Sequence, residues 1–348
     1  MIIRKSIPVL ILLTGLSASA QDFHVTQILQ SPNLLNPGAV GVYDGWERVA
    51  VQHRNQWLAG GTTYMTTGVT ADANFFKDDR NSRAHLGAGI QFYNDIAGHS
   101  GYGLQTGSLI VSGILPVGNG SQLSLGIQGG IGNRSGNTSR LIYDSQWNGN
   151  GDYDPAITSG ETGSLSSFIY MDASAGIFYQ FDGEQSTFAR NYDMKFQAGF
   201  AGYHLNAPIL KYRTGSEEQL ARKYVAMVKY SMDIPDTKLA FDAQFVQFIQ
   251  GGHYESILGL ILRRRFQDGG KITGLNQDAF FGLGVYTRLK DAIAPTMQID
   301  WRGFHFGVSY DITLSALRYG YKGGSLELSL SYTNMNNALF KTRRKGFR

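Results

Sequence analysis

The sequence predicts an all-β protein: a transmembrane antiparallel β-barrel of about 14 strands with an irregular N-terminal leader or plug segment. Two observations support this prediction. Stretches in which apolar and polar side chains alternate recur from Trp46 to Asn334, and successive side chains of a strand face opposite sides of the sheet. They follow an export signal in a chain that has no cysteine. This combination is typical of a bacterial outer-membrane barrel.

The first twenty residues are predicted to be a cleaved signal peptide. Arg4 and Lys5 form a short basic start, Ile7 to Leu16 is apolar but too short to span a bilayer, and Ala18-Ser19-Ala20 is a small-residue cleavage site. The mature chain is therefore expected to begin at Gln21, and the protein is expected to reside in the outer membrane.

The composition agrees with a barrel. Charged residues make up 17% of the chain, below the roughly 25% of soluble domains, while the mean hydropathy of −0.19 is too polar for a helical membrane protein. A wall that is polar toward the lumen and apolar toward lipid explains both values. The net charge of +4 is spread along the chain, so no nucleic-acid partner is expected.

Fourteen alternating stretches predict the strands of a barrel spanning residues 46–334. The clearest runs from Ser325 to Thr333, where Leu328 is expected to face lipid and Ser329 the lumen, so that arginine should be better tolerated at Ser329. The predicted strands are Trp46–Trp57, Thr62–Phe76, Ala84–Asn94, Gly101–Pro116, Ser121–Asn133, Ser166–Phe181, Met194–Asn206, Arg222–Ile234, Lys238–Gln250, Tyr254–Phe266, Asp278–Lys290, Pro295–Arg302, Gly303–Thr313 and Gly324–Asn334.

Loop lengths orient the barrel, because outer-membrane barrels have short periplasmic turns and longer outside loops. With both ends of the chain in the periplasm, Val117-Gly118-Asn119-Gly120 and Pro235-Asp236-Thr237 become tight periplasmic turns. The long connection from Arg134 to Leu165 then lies outside. Two other connections, Asp182 to Asp193 and Gln267 to Gln277, are long for periplasmic turns.

The segment from Gln21 to Gly45 does not resemble a wall strand. Pro32 and Pro37 prevent a regular helix or a paired strand, and Asn36-Pro37-Gly38 marks a turn. Two placements remain open: a periplasmic leader, or a plug that folds back into the lumen.

The long outside loop holds the first group of candidate partner-binding residues. Asp144, Asp152 and Asp154, together with neighbouring asparagines, offer oxygen ligands of the kind that Ca²⁺ prefers, but no glutamate closes an EF-hand spacing. Trp147 and Tyr153 offer aromatic contact area. A contact with a partner protein through Trp147, Asp152, Tyr153 and Asp154 is therefore preferred to a metal site, and a merely solvated loop is the alternative.

The tail, residues 335–348, holds the second group. Arg343, Arg344 and Lys345 give it a basic end that is expected to hang in the periplasm. It would dock on an acidic or peptidoglycan-associated component of the envelope, or else remain a solvated end.

No catalytic or cofactor site is expected. His53 and His85 are isolated strand residues, and His99-Ser100 lies in a Gly-rich turn between strands. Charged residues on the inward positions could line a solute path or pair with one another across the lumen, and pairing is preferred because both signs occur. These residues are Asp242, Arg288, Lys290, Asp300, Arg302, Asp311 and Glu327.

An ordered set of short motifs resembles the PorP/SprF family of the Bacteroidetes type IX secretion system. The set covers nearly all of the mature chain and stops before the tail. It comprises Asn36-Pro37-Gly38-Ala39-Val40-Gly41, Arg48 with Gln56-Trp57, Leu86-Gly87-Ala88-Gly89-Ile90, Asn94-Asp95-Ile96-Ala97-Gly98, the strand from Gln122 to Gln128, Asp172-Ala173-Ser174-Ala175-Gly176, His204-Leu205-Asn206-Ala207-Pro208, Tyr310-Asp311 and the closing run from Leu326 to Tyr332.

The resemblance implies a non-enzymatic outer-membrane barrel of the secretion and gliding apparatus. In this family such a barrel assists the export or surface anchoring of an adhesin-like substrate, in company with other secretion or gliding components. Two other readings stay open on the residues alone. One is a passive porin or a hydrophobic-solute transporter, and the other is a soluble secreted all-β protein such as a propeller.

Overall fold

The computed structural model describes residues 25–27, 30–56, 64–78, 83–98, 100–136, 141–160, 167–183, 194–212, 218–267, 278–315 and 323–335. The expected signal peptide and all of the basic tail beyond Met335 lie outside these residues. So do most of the two long connections between Asp182 and Asp193 and between Gln267 and Gln277.

Fourteen antiparallel strands close into one barrel, in which the first strand pairs with the last. The predicted strands are confirmed, and their ends differ from the prediction by at most three residues. The wall consists of β1 Glu47–Gln56, β2 Tyr64–Phe75, β3 His85–Ala97, β4 Tyr102–Gly118, β5 Ser121–Ser135, β6 Phe168–Asp182, β7 Met194–Tyr203, β10 Lys223–Asp233, β11 Leu239–Gln250, β12 His253–Gln267, β13 Ala279–Arg288, β14 Ala292–Trp301, β15 Phe304–Thr313 and β16 Ser325–Asn334. Two short strands, β8 Ile209–Leu210 and β9 Glu218–Gln219, form a separate hairpin between β7 and β10.

The outer face of the wall is apolar, and its inner face carries polar as well as apolar side chains. On β16, Ser329 and Ser331 are 3% and 9% exposed, whereas Leu328 and Leu330 are 37% and 48% exposed. Other strands also expose apolar side chains outward, as expected for a wall that faces lipid. Their inward positions are not all polar, because several pack with the luminal segment in an apolar core cluster, among them Val225, Met227, Ile257 and Ile261. Within the described residues, no helix is long and apolar enough to cross a membrane.

The largest difference between a predicted and an observed strand start occurs at Pro295, where the prediction begins the strand with a proline. Strand β14 begins at Ala292 rather than at Pro295, because the wall accommodates proline within the strand. The β14–β15 pairing passes from Ile293 directly to Thr296, so the missing N–H of Pro295 leaves no ladder bond broken.

The barrel has two different ends. At the proximal end β1 begins and β16 ends, and at the distal end lie the long loop after β5 and the β8–β9 hairpin. The irregular N-terminal segment lies inside the barrel and descends through it. Thr26 contacts Asp311 and Glu327 in the distal half, and Asp44 contacts Lys195 at the proximal end. Residues 25–27 and 30–46 therefore adopt the second of the two placements that the sequence allows, a plug, which we call the luminal segment.

Three expectations about side-chain placement are wrong. Lys290 and Arg302 do not enter the lumen: both are exposed turn residues with positive φ, 69° and 51°. Arg134 does not begin the outside loop, because β5 continues to Ser135 and the Arg134 side chain is turned inward. The short turns between β13 and β14 and between β14 and β15 need left-handed backbone, so those charges leave the alternation of the strands.

The β8–β9 hairpin covers part of the distal mouth. Leu210 and Leu220 are buried against Leu104, Phe168 and Tyr170 of the wall. In addition, the ring of Tyr212 packs edge-on to that of Phe168, with centroids 5.2 Å apart. This apolar cluster closes the mouth over β4, β5 and β6.

The outward position of Leu328 on β16 predicts that a charged side chain there lowers the stability of the barrel more than loss of the leucine side chain does. Leu328→Arg is expected to lower the free energy of unfolding by about 2–4 kcal/mol, because a charge then faces the bilayer near mid-strand. Leu328→Ala, which only shortens the side chain, should cost less. The measurement is a denaturant titration of the protein refolded in lipid vesicles, and equal losses for both variants would contradict the outward placement.

The lumen is not the tolerant site that the alternation suggested for Ser329. Its hydroxyl donates to Oε1 of Gln27 at 3.0 Å and lies against the luminal segment. Arginine at Ser329 is therefore expected to displace that segment instead of being accommodated.

Candidate functional site: the filled lumen and the distal loop

A turn of the luminal segment rests on glycines of the wall. Asn36 caps this turn, since its Oδ1 accepts the backbone N–H of Gly38 at 2.8 Å. A Cβ atom on Gly126 would lie 2.2 Å from the carbonyl oxygen of Pro37, and one on Gly176 would lie 2.1 Å from Oδ1 of Asn36. Both distances are far shorter than a van der Waals contact. The wall admits the turn only because these two positions have no side chain.

One carboxylate joins the luminal segment to the wall. Asp72 of β2 receives two parallel hydrogen bonds from Arg48 of β1, at 2.9 and 2.8 Å. It also accepts the backbone N–H of Gly41 at 3.0 Å and Nδ2 of Asn33 at 3.4 Å. The Arg48 guanidinium lies over the Tyr43 ring, 4.3 Å from its centroid. Because the pair is buried and bidentate, it fixes the segment in direction as well as position.

A second carboxylate, that of Glu327, holds the distal end of the luminal segment. The Glu327 carboxylate accepts the backbone N–H groups of Thr26 at 2.8 Å and Gln27 at 3.1 Å. Arg54 lies between Glu327 and Asp311, with nitrogen–oxygen distances of 3.5 and 3.2 Å. The acids thus satisfy both an arginine and the otherwise unpaired backbone of a chain without regular structure.

Ion pairs also fix the lower end, where the segment leaves the lumen. Lys195 bridges Asp44 at 2.6 Å and Asp182 at 3.0 Å. Its ammonium lowers the pKa of Asp44 to about 2, so this link persists until the solution is strongly acidic. Lys77 donates to the carbonyl oxygen of Tyr43 at 2.9 Å, and burial lowers the pKa of Lys77 below its usual value.

A polar cavity of about 360 Å³ remains at the distal mouth, between β1, β10, β11, β12 and β13. Both signs of charge line it, so it is not a selective filter for one kind of ion. Its charged or titratable lining comprises Arg54, Lys223, His253, Tyr254, Glu255, Arg288 and Asp291.

The described part of the long distal loop, residues 141–160, is stiffened by its own side chains. The rings of Trp147 and Tyr153 pack edge to face with centroids 5.1 Å apart, and their backbones form a single antiparallel bridge. Asn148 accepts the backbone N–H of Asp152 at 3.3 Å. Asp152 and Asp154 accept backbone N–H groups one and two residues ahead. Trp147 and Tyr153 stay 47% and 40% exposed.

The structure describes only one of the two predicted groups of partner-binding residues. Trp147, Asp152, Tyr153 and Asp154 come together in one loop, but both carboxylates face the backbone of that loop rather than a shared ion. Among the described residues, no group of three or more His, Asp or Glu side chains converges as a metal site would require. Arg343, Arg344 and Lys345 lie outside the described residues.

The serine-hydrolase arrangement is not assembled where the structure describes its members. His53 bonds to the Thr67 hydroxyl at 2.9 Å, and His85 contacts the Arg83 carbonyl oxygen at 3.2 Å. Neither histidine faces a serine through these contacts. His99 lies outside the described residues.

The sequence reasoning missed the residues that hold the luminal segment, above all Asp72. A signal was present: Asp72 lies at an inward position among small residues, in Thr70-Ala71-Asp72-Ala73-Asn74. An acid at an inward position calls for a basic partner. Arg48 on the neighbouring strand is that partner, and their pairing in register is Arg48 opposite Asp72.

Comparison with known proteins identifies one family and several solved structures to which the chain is similar. The family model described as "Type IX secretion system membrane protein PorP/SprF" matches residues 17–332, while no curated protein matches the chain. The TodX monoaromatic hydrocarbon channel aligns at 11% identity over 86% of this chain and 93% of its own, with a TM-score of 0.44. A Pseudomonas aeruginosa FadL homologue aligns at 13% identity over 86% and 93%, with a TM-score of 0.42. BamA from Haemophilus ducreyi aligns at 10% identity over 83% and 70%, with a TM-score of 0.42.

Because the Asn36-Pro37-Gly38 turn rests directly on Gly126, a single methyl group at this position is predicted to open the lumen. Gly126→Ala should push the Asn36-Pro37-Gly38 turn off the wall and raise the conductance of the purified barrel in a planar bilayer. Gly129→Ala, three residues along β5, is the matched control, because nothing lies within 4 Å of a Cβ atom there. Identical conductance of wild type and both variants would show that the turn does not close the lumen.

Because Asp72 holds both Arg48 and the luminal segment, its substitution is predicted to lower the stability of the barrel and to release the segment. Asp72→Asn leaves Arg48 buried without its counter-charge and should lower the free energy of unfolding by about 3–5 kcal/mol. Asp242→Asn is the control, since Asp242 pairs with Arg263 of the wall at 2.9 Å and not with the luminal segment. In limited proteolysis of the folded barrel, only Asp72→Asn should expose the segment to cleavage. Equal cleavage in both variants would count against the junction.

Proposed function

Because the chain belongs to the PorP/SprF family of type IX secretion system membrane proteins, we propose that this barrel retains a secreted substrate at the cell surface. The substrate is an adhesin-like protein, and the barrel assists its export or its anchoring. On this proposal the protein is a holder within the secretion and gliding apparatus, with no enzymatic role. The distal end faces outward and the proximal end faces the periplasm.

The observation that carries the proposal is the filled lumen. Residues 25–27 and 30–46 occupy the interior and are tied to the wall from Glu327, which holds Gln27 in the distal half, to Lys195, which holds Asp44 at the proximal end. Polar contacts fix the segment through Asp72 midway. A rigid, occupied interior suits a scaffold for surface loops better than a passive porin, which needs a continuous water-filled path.

The distal loop supplies the surface through which such a scaffold would act. Gln146 is buried beneath the loop, where its Oε1 accepts the N–H of Tyr143 at 3.0 Å and its Nε2 donates to the carbonyl oxygen of Ile157 at 3.0 Å. The exposed rings of Trp147 and Tyr153 are therefore held in place before binding. Large rigid aromatic side chains that lose little entropy are typical anchors of protein interfaces.

The tail completes the proposal on the periplasmic side. Arg343, Arg344 and Lys345 follow the last strand, which ends proximally at Asn334. On the proposed orientation they would meet an acidic or peptidoglycan-associated component of the envelope. The barrel would then link a surface substrate to the machinery beneath it.

A clean deletion of the gene tests the proposal as a whole. We expect one class of adhesin to disappear from the cell surface, measured by surface labelling and mass spectrometry, while uptake of small solutes is unchanged. Retention of every surface protein together with reduced uptake of a solute would establish the transporter alternative instead.

The aromatic pair gives a sharper prediction. The double variant Trp147→Ala with Tyr153→Ala should leave the barrel folded and inserted but reduce the surface amount of that adhesin. Tyr254→Ala is the matched control, because Tyr254 is another exposed aromatic residue at the distal end, 74% exposed, on the far side of the mouth. If both variants lower the adhesin equally, or neither does, the loop is not the contact.

A further inference from the structure

The outer face of β3, β4, β5 and β6 carries a cleft of about 660 Å³, which we call the outer cleft. Two outward glycines lie at its floor, Gly107 of β4 and Gly129 of β5, and nothing lies within 4 Å of a Cβ atom at either position. Its sides are four large apolar residues, each between 56% and 75% exposed: Ile90, Leu109, Ile131 and Met171. The outer cleft is therefore an open gap in the apolar face of the wall.

Strand register explains why the gap lies there. Gly107 of β4 pairs with Ile131 of β5, and two residues farther along the same strands Leu109 pairs with Gly129. Each glycine thus stands beside a large side chain of the neighbouring strand. On its other side Gly129 pairs with Ala173 of β6, whose side chain is also small. The two empty positions are diagonal neighbours, and together they leave a channel about as wide as one side chain.

The outer cleft lies at the distal border of the surface that faces lipid. The outward positions of β4 from Gly107 to Val117 are all glycine, leucine or valine. Ten residues of strand rise about 33 Å. A strand tilt of about 40° reduces this to about 25 Å, the height of the apolar band of an outer-membrane barrel. The next outward residue on the distal side is Gln105. Gly107 therefore lies at the depth where the acyl chains of the distal leaflet begin.

A row of uncharged amide side chains borders the outer cleft on this distal side. Gln105 pairs with Asn94 of β3 and with Asn133 of β5. Successive residues on one face of a strand are about 6.6 Å apart, so the row lies directly above the level of Gly107. The Oδ1 atom of Asn94 is buried and has no hydrogen-bond partner. The row can accept a hydrogen bond from a hydroxyl or ammonium group and donate one to a carbonyl oxygen.

We propose that the outer cleft and this row bind one membrane lipid, whose acyl chain fills the cleft and whose ester or amide linkage bonds to the side chains of the row. A flexible acyl chain enters a gap one side chain wide, whereas a helix with its side chains is about 10 Å across and does not. The chain gains contacts on its floor and both sides that a smooth wall does not provide. The inference does not rest on the proposed function, because it requires only that the barrel spans a bilayer.

Native mass spectrometry of the purified full-length barrel tests the proposal, with dipalmitoylphosphatidylethanolamine as the probe. Lipids that merely surround the barrel are lost first as the collision energy rises. We expect the wild type to keep one last lipid over a range of energies. Loss of all lipids together would overturn the proposal and would leave the cleft to an apolar segment of a membrane-embedded partner. This measurement needs no variant.

Gly107→Leu fills the outer cleft, and Gly113→Leu is its matched control. Both glycines face outward on β4, and nothing lies within 4 Å of a Cβ atom at either, so leucine should be accepted at both positions without a lower unfolding midpoint. Only Gly107→Leu should reduce retention of the last lipid, by about tenfold, because leucine excludes about two methylene groups from the cleft. Equal retention by the two variants would overturn the proposal.

Gln105→Leu tests the polar end of the site. It should reduce retention of the last lipid by about threefold or more, the effect expected for one lost hydrogen bond. Asn55→Leu is the control, because Asn55 is an outward amide near the distal end of β1, away from the cleft. Unchanged retention by Gln105→Leu, or the same reduction in both variants, would overturn the proposed contact between the lipid linkage and the amide row.

Discussion

The interior of a fourteen-stranded barrel must be filled by something other than the side chains of its wall, and most of this structure follows from that constraint. Eight strands leave a core that side chains can fill, but a larger ring leaves a hole. Here the chain fills its own hole with the segment that precedes β1. That segment has almost no regular structure, so its backbone N–H and C=O groups must find partners on the wall.

The wall meets this requirement with a few acids and amides at chosen positions. Glu327 accepts two consecutive backbone N–H groups of the segment, and Asp72 accepts one while it also holds Arg48. Conversely, Nδ2 of Asn36 donates to the carbonyl oxygen of Ile177 on β6 at 2.8 Å. Charges of both signs are needed inside for the same reason: each acid that receives the segment also needs a basic partner to offset the loss of hydration.

The sequence predicted the wall well and its contents poorly, for a physical reason. Strand alternation is local, so Leu328 and Ser329 reveal their faces from their neighbours alone, and even Pro295 shifted one strand start by only three residues. Contacts such as Thr26 with Glu327 join residues 301 positions apart, and nothing in the local pattern specifies them. The predicted inward placement of Lys290 was wrong for a local reason: Lys290 lies in a turn with left-handed backbone, where the alternation of strand side chains does not apply. The aromatic pair of the distal loop was visible as composition, but the Asn148 and Asp152 contacts that fix it were not.

A filled barrel changes the meaning of its two ends. In an open pore solutes pass through the lumen and the loops control their entry. Here the luminal segment occupies the interior and ties the strands together, so the surfaces that face possible partners are those of the distal and proximal ends. Below, Lys195 and Lys77 tie the segment where it passes into β1. Above, the hairpin closes one side of the mouth over Arg134, and the other side keeps its polar cavity next to Arg288. Because this interior is rigid, a group held at the distal end is held relative to the whole wall, and this is what a surface-retaining role requires.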